Sequence, residues 1–258
     1  MIIEKNGLKY FTFGHLSGAG VAHCVTTRVG GVSGGVYESL NMGFGSGDDA
    51  ALVQENYRRV CDALGIDGGR IARTRQVHGV NVQAAGDAAV YEDTDGLMTN
   101  KTGVSLVTYY ADCVPLLFYD PKLRVVANAH AGWRGVADNM AGAVVAAMIK
   151  HYGCEPSGIL VGIGPSICVD NFEVDKDVPD VFKKKLPFSD KFIYNSRSAK
   201  NKYHVDLWSV CRESLILAGV KAENIETSGI CTYERADLFY SHRRDGVPRG
   251  NMAAFIVL

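Results

Sequence analysis

Apolar positions recur at three- and four-residue spacing through Leu52, Val53, Tyr57, Val60, Cys61 and Leu64, between a capping Asp48 or Asp49 and Gly65. That spacing predicts an amphipathic helix. A second stripe, Met140, Val144, Ala147, Met148 and Tyr152, ends at Gly153, and a third runs from a capping Asp206 through Val210, Cys211, Ser214 and Leu217 to Gly219. Elsewhere the pattern shortens to alternation or to continuous apolar runs. Residues 73–82 alternate on both sides of His78 and read as a strand broken at Gly79. The runs 104–110, 114–119 and 125–129 read as further strands. Asp120-Pro121 opens a type I turn, so the last two form a hairpin. Strands are also expected at 159–163 and at 253–258, the latter continuously apolar and therefore central. Dense glycine around residues 30–35 and 43–47 marks loops, as does the turn at 162–166. The polar stretch 175–201 carries Lys183-Lys184-Lys185, a solvated helix end or loop. With no linker, low-complexity run or repeat, residues 1–258 read as one globular unit.

Composition narrows the function classes. The chain is 47% hydrophobic and 21% charged, ordinary for a folded globular protein. A net charge of −1 gives no overall field to draw it to nucleic acid or an anionic membrane. No apolar stretch is long enough for a membrane span, and the first residues lack the apolar core of a secretory signal, so a cytoplasmic location is expected. The seven cysteines are odd in number, scattered and free of any Cys-x-x-Cys, which argues against a disulfide framework or zinc ribbon.

One cysteine stands apart. A hairpin turn centred on Pro121-Lys122 places Cys113 directly opposite His130, and opposed residues share a face with Cβ atoms about 4.5–5.5 Å apart. His78, the other histidine at a strand end beside glycine, would complete a Cys-His-His set. Three protein donors with a fourth position open is the pattern of a catalytic zinc site. The same atoms also suit nucleophilic catalysis, with Cys113 attacking a carbonyl, a histidine as base and Asp112 nearby; spacing leaves both readings open. Asp112, one residue before Cys113, would point to the opposite face of a regular strand.

The strings Gln76-Val77-His78-Gly79, Ala111-Asp112-Cys113-Val114-Pro115 and His130-Ala131-Gly132-Trp133-Arg134-Gly135 resemble the YfiH-type family, also called the laccase-domain or polyphenol oxidase family. The resemblance extends to residues 26–33, Ser39-Leu40-Asn41, Gly47-Asp48-Asp49, residues 164–167, Cys231-Thr232 and Ser241-His242-Arg243-Arg244-Asp245, and so spans nearly the whole chain. It implies an α+β fold, a four-layer αββα arrangement with mixed sheets shared with a bacterial toxin deamidase. It also implies that His78, Cys113 and His130 are the zinc ligands, with Cu²⁺ as the alternative occupant.

The function so implied is phosphorolysis of adenosine, inosine, guanosine or methylthioadenosine, with adenosine deaminase activity, so the expected partners are a purine nucleoside and phosphate. Arg28, Arg243 and Arg244 are candidates for phosphate, because guanidinium groups bind it bidentately. Gln76, Asp112 and Asn41 are candidates for substrate contact or ligand orientation, with strand-end and turn hydrogen bonding as the alternative role, the one favoured for Asn41. Trp133 could stack a base but reads as a core anchor. Three rival functions remain: copper-dependent phenol oxidation, for which seven scattered histidines are few; an amide hydrolase of a peptidoglycan precursor; and a metal-stabilised binding module.

Overall fold

In the computed structural model, which describes residues 1–258, sixteen strands numbered along the chain gather into three sheets. The first has the order β1 (Ile2–Lys5), β2 (Leu8–Phe11), β3 (Ala22–Thr26), β16 (Met252–Val257), β8 (Ser105–Tyr110), β4 (Ile71–Thr74) and β6 (Ala89–Tyr91). It is antiparallel as far as β8 and parallel beyond. The second has the order β15 (Ile225–Thr227), β11 (Leu160–Ile163), β9 (Val114–Asp120), β10 (Val125–Ala131), β7 (Gly96–Thr99) and β5 (Val82–Ala84), and is likewise mixed. A small third sheet joins β12 (Glu173–Asp175), β14 (Lys202–Val205) and β13 (Ile193–Asn195).

Two-residue periodicity builds the layers. Short helices α1 (Gly14–Gly18) and α3 (Trp133–Ala137) accompany the longer ones. In β16, Ala253 and Phe255 face a core shared with helix α2 (Ala50–Leu64), whereas Met252, Ala254 and Ile256 face the second sheet. In β9, Leu117 and Tyr119 meet them from the other side, and Leu116 and Phe118 turn to a third core under α4 (Met140–Tyr152) and α6 (Leu207–Leu217). The order is therefore helix, sheet, sheet, helices: a four-layer αββα arrangement. Both faces of β9, β10 and β16 are buried, which is why these strands are continuous apolar runs. The helix ends follow their caps. Asp49 accepts from Ala51 N, Asp206 accepts from Ser209 N, and Gly65 and Gly153 close α2 and α4 at φ of 70° and 75°.

Two expectations are corrected. Residues 73–82 are not one strand: β4 ends at Thr74, and the chain crosses to β5 of the other sheet through a loop that carries His78. The hairpin turn is centred one residue later than expected. Asp120 stays in β9 opposite Val125, its carboxylate accepts from Lys122 N and Leu123 N, and Arg124 adopts φ 52°. His130 therefore faces Pro115 rather than Cys113. A slip of two positions along the partner strand keeps the same face, so Cys113 and His130 still lie on one side. Within residues 175–201 the three lysines are a solvated helix end, one of the two alternatives read from the sequence: α5 (Asp177–Lys185) ends on them, where cations favour a helix C-terminus, and β13 follows.

Candidate metal centre and active site

His78 lies on the loop between β4 and β5, Cys113 between β8 and β9, and His130 on β10. Each of the first two connections passes from one sheet to the other. The buried residue that organises them is Asp95, fully enclosed just before β7. One carboxylate oxygen accepts from Val77 N at 3.1 Å and Gly79 N at 2.8 Å; the other accepts from His78 N at 3.0 Å and sits 2.8 Å from His130 Nδ1. These three N–H bonds hold His78 at φ 61°, a left-handed conformation costly for a residue with a Cβ. The bond to Nδ1 fixes the His130 tautomer and turns Nε2 toward Cys113.

Cys113 is aimed by its neighbour. Asp112 adopts φ 81°, and its carboxylate accepts from Thr232 Oγ1 at 2.6 Å, Ser241 Oγ at 2.9 Å and Arg243 N at 2.7 Å. The side-chain donor atoms of His78, Cys113 and His130 then lie within 4.8 Å of one another, and the two imidazoles meet edge to face at 4.8 Å between centroids. Burial pushes the Cys113 thiol up, but the adjacent His130 charge and hydrogen bonds from both histidines outweigh it and bring it down to about 6. Burial would hold His130 low, yet Cys113 and Asp95 raise it above the ordinary imidazole value. The Asp95 carboxyl stays below its usual range because hydrogen bonds from His130 and Gly79 exceed the cost of burial. The site thus favours a thiolate, the form that ligates a cation or attacks an electrophile.

A thiolate and two imidazoles, with one imidazole backed by a carboxylate, form a donor set suited to zinc. Room for an ion is kept by Gly132, where a Cβ would stand 2.8 Å from His78 Cδ2 and 3.3 Å from Cys113 Sγ. Gly132→Ala is accordingly expected to weaken metal affinity at least tenfold while changing the thermal midpoint little, checked by competition with a chromophoric chelator and by thermal unfolding of the metal-free protein.

Two clefts meet at this cluster, and His78 and Cys113 line both. One, of about 650 Å³, is basic, with Arg73, Arg75 and Arg249 on its walls beside Gln76 and Tyr109. The other, of about 300 Å³, is largely apolar, with Trp133, Ile167, Phe172 and Leu207, and is rimmed by His242 and Arg243. The polar candidates from the sequence divide between them and the interior. Gln76 lines the basic cleft, but its amide is spent on the backbone N–H and C=O of Tyr109. Arg28 lines neither cleft; its guanidinium donates to Glu38 O and Ala236 O and covers the Tyr240 ring. Arg244 is bound to Thr232 O, Tyr233 O, Phe239 O and Asp245. Arg243 reaches the apolar cleft while donating to Asn171 O and Glu173 O. Asn41 is buried in turn hydrogen bonds with Gly43 N, Asn251 N and Asp48.

Two residues of the site carry no motif signal. Asp95 precedes a glycine and a short apolar run, and nothing local sets it apart from a turn aspartate. Arg249, between Pro248 and Gly250, has a buried Nε with no partner, and its guanidinium is otherwise tied to Asn251 Oδ1 at 2.8 Å and more loosely to Gly250 O. Burial lowers its pKa, an effect opposed by the negative charges of Asp112 and Cys113.

Residues 22–258 match the family model described as "Multi-copper polyphenol oxidoreductase laccase". The chain is 38% identical over 248 residues to "Purine nucleoside phosphorylase YlmD" of Geobacillus stearothermophilus, covering 92% of this chain and 90% of that protein. It is 35% identical over 242 residues to "Adenosine deaminase RL5" of an unknown prokaryotic organism, covering 90% and 91%. Among solved structures, the Bacillus licheniformis "hypothetical protein YfiH" superposes with a TM-score of 0.92 at 32% identity, over 100% of this chain and 98% of that one.

Proposed function

Because this chain belongs to the laccase-domain, or YfiH-type, family, we propose that it is a zinc-dependent purine nucleoside phosphorylase with adenosine deaminase activity. The observation that carries the reading is the meeting of a basic and an apolar cleft on the His78–Cys113–His130 cluster. Phosphorolysis needs an anion and an aromatic base held on either side of one sugar carbon, and cleaving the glycosidic bond builds positive charge there. A phosphate oxygen forms the new bond to C1′ as the C1′–N9 bond breaks. The electron pair leaves with the base, which takes up a proton, and the products are free purine and ribose 1-phosphate.

A zinc ion held by His78, Cys113 and His130 would supply Lewis acidity toward an oxygen of phosphate or water. The remaining work falls to the chain. Arg249 lines the wall shared with Cys113 and offers phosphate a guanidinium whose buried Nε–H has no protein partner, in a medium that strengthens a charge-assisted bond. Arg73, stacked over Phe44, and Arg75 add positive charge to that cleft. Arg28, which lines neither cleft, and Arg244, bound by three carbonyls and Asp245, are not phosphate ligands in this reading. Asp112 acts by pinning Cys113 rather than by touching substrate. Phe172 and Leu207 give the purine an apolar wall that excludes water. Deamination at C6, with water in place of phosphate and ammonia leaving, is a second reaction of the same site, supported by the relative named an adenosine deaminase.

Polyphenol oxidation by a multicopper centre would need imidazoles that this chain places apart. His15 pairs with Glu226, His23 lies between Phe13 N and Val21 O, and His204 bonds Val169 O. The test is incubation with adenosine with and without phosphate. Release of free base only when phosphate is present supports phosphorolysis; inosine alone supports deamination, and no purine product in either arm overturns the reading and leaves the oxidase and amidase alternatives. Arg249→Met is expected to raise the KM for phosphate at least tenfold while changing the KM for nucleoside much less, measured by varying each substrate against saturation of the other.

A further inference from the structure

A second group of donors lies outside the centre described above. Cys168, which precedes a turn at Val169–Asn171, and Cys231, which bridges to Ser166, are both buried, and Glu234 reaches them from the surface. Their donor atoms lie within 4.8 Å of one another, and Cys168 Sγ is 3.6 Å from Glu234 Oε1. In a tetrahedral site with metal–sulfur and metal–oxygen bonds of about 2.3 Å and 2.1 Å, a sulfur and an oxygen ligand stand about 3.6 Å apart. Asn171 completes the figure. Its Nδ2 is 3.1 Å from Cys168 Sγ, 3.5 Å from Cys231 Sγ and 2.9 Å from Glu234 Oε1, and rotating the amide by half a turn would put Oδ1 in that place.

We infer that Cys168, Cys231 and Glu234, with Asn171 as fourth donor, form a second divalent-cation site of zinc type, separate from the His78–Cys113–His130 centre. Hydrophobic packing accounts for buried cysteines singly, as it does for Cys24 and Cys211, but not for two thiols that converge with a carboxylate and an amide. A disulfide would use the two sulfurs and leave Glu234 and Asn171 without a part. A backbone N–H prepares the pair: Cys168 N donates to Cys231 Sγ at 3.2 Å. Binding a cation displaces the thiol protons. The ion would tie the segment that follows β11 to the turn carrying Thr232, whose hydroxyl donates to Asp112. Its role is therefore structural support for the loop that aims Cys113.

The experiment uses the full chain carrying His78→Ala and Cys113→Ser, so that the first centre cannot hold a thiolate-bound ion. Cobalt(II) is titrated under reducing conditions, with circular dichroism as a check on the fold. The expected result is one equivalent bound with a sulfur-to-cobalt charge-transfer band in the near ultraviolet. Adding Glu234→Gln, an exposed change that leaves the core intact, should weaken binding at least tenfold, and adding Cys231→Ser should remove the band. Absence of the band in the folded double variant overturns the inference. So does an unchanged cobalt affinity with Glu234→Gln, or a mass two daltons low with no free thiol at Cys168 and Cys231 in the protein as isolated, which would make the pair a disulfide.

Discussion

Cys113→Ala and His130→Ala are each expected to remove one equivalent of bound zinc per chain and to lower purine phosphorolysis by at least a thousandfold, read by elemental analysis and by release of free base from inosine. Either change takes away one of three donors, and the neighbouring carboxylates do not replace it, since Asp95 is committed to four donors and Asp112 to three. The two variants differ in what they leave behind. Without Cys113 the imidazoles lose the anion that holds them, so an ion would bind weakly and with nitrogen ligands only. Without His130 the thiolate loses its chief stabilising charge, and alkylation by iodoacetamide at neutral pH should slow relative to the metal-free parent protein. Retained turnover in both variants would move the chemistry away from this cluster.

Asp95→Ala carries the largest expected cost to stability. The carboxylate is fully buried and accepts three backbone N–H bonds, so its removal leaves three donors without partners, each costing about 1–3 kcal/mol. A loss of at least about 3 kcal/mol in denaturant unfolding is expected, enough to consume much of the stability of an ordinary domain. Asp95→Asn is the sharper probe. It keeps an oxygen for the loop but replaces the acceptor facing His130 with a donor or a weaker acceptor, which unsettles the tautomer. Metal affinity should fall about 10- to 100-fold, the usual range for a partner that orients a ligating histidine. An Asn variant with unchanged metal affinity would mean that Asp95 serves the loop alone.

The unequal legibility of this site in the sequence has a physical cause. Periodicity reports burial, so the helices with clear stripes, 50–64 and 140–152, and the buried strands 114–120 and 252–257 are readable within a residue or two. Hairpin arithmetic put Cys113 and His130 on one face, and they are on one face, although the turn sits a residue later because Asp120 belongs to the strand and caps the turn through its side chain. What periodicity does not report is a loop held in shape by a distant carboxylate. Residues 73–82 alternate like a strand, yet Asp95 captures three successive N–H groups that a sheet neighbour would otherwise have taken. Arginines pose the same difficulty. Arg28, Arg244 and Arg249 look alike in sequence, and only the tertiary structure distinguishes one remote from both clefts, one bound by carbonyls and a carboxylate, and one with an unpartnered, buried Nε.

The ligands of the first centre come from two crossings between the sheets and from one strand of the second sheet. Any sliding of one sheet over the other would therefore change the donor-to-donor distances, and a bound ion would act as a rivet through the middle of the sandwich. The inter-sheet layer, with Leu106 and Leu117 packed at its centre, becomes part of the tuning of that ion even though neither leucine approaches it. Trimming either to a smaller residue should loosen the grip on metal in proportion to the lost packing. Conversely, filling the centre with metal should make the sheets resist being pulled apart, so that this protein would hold its shape under force better loaded than empty.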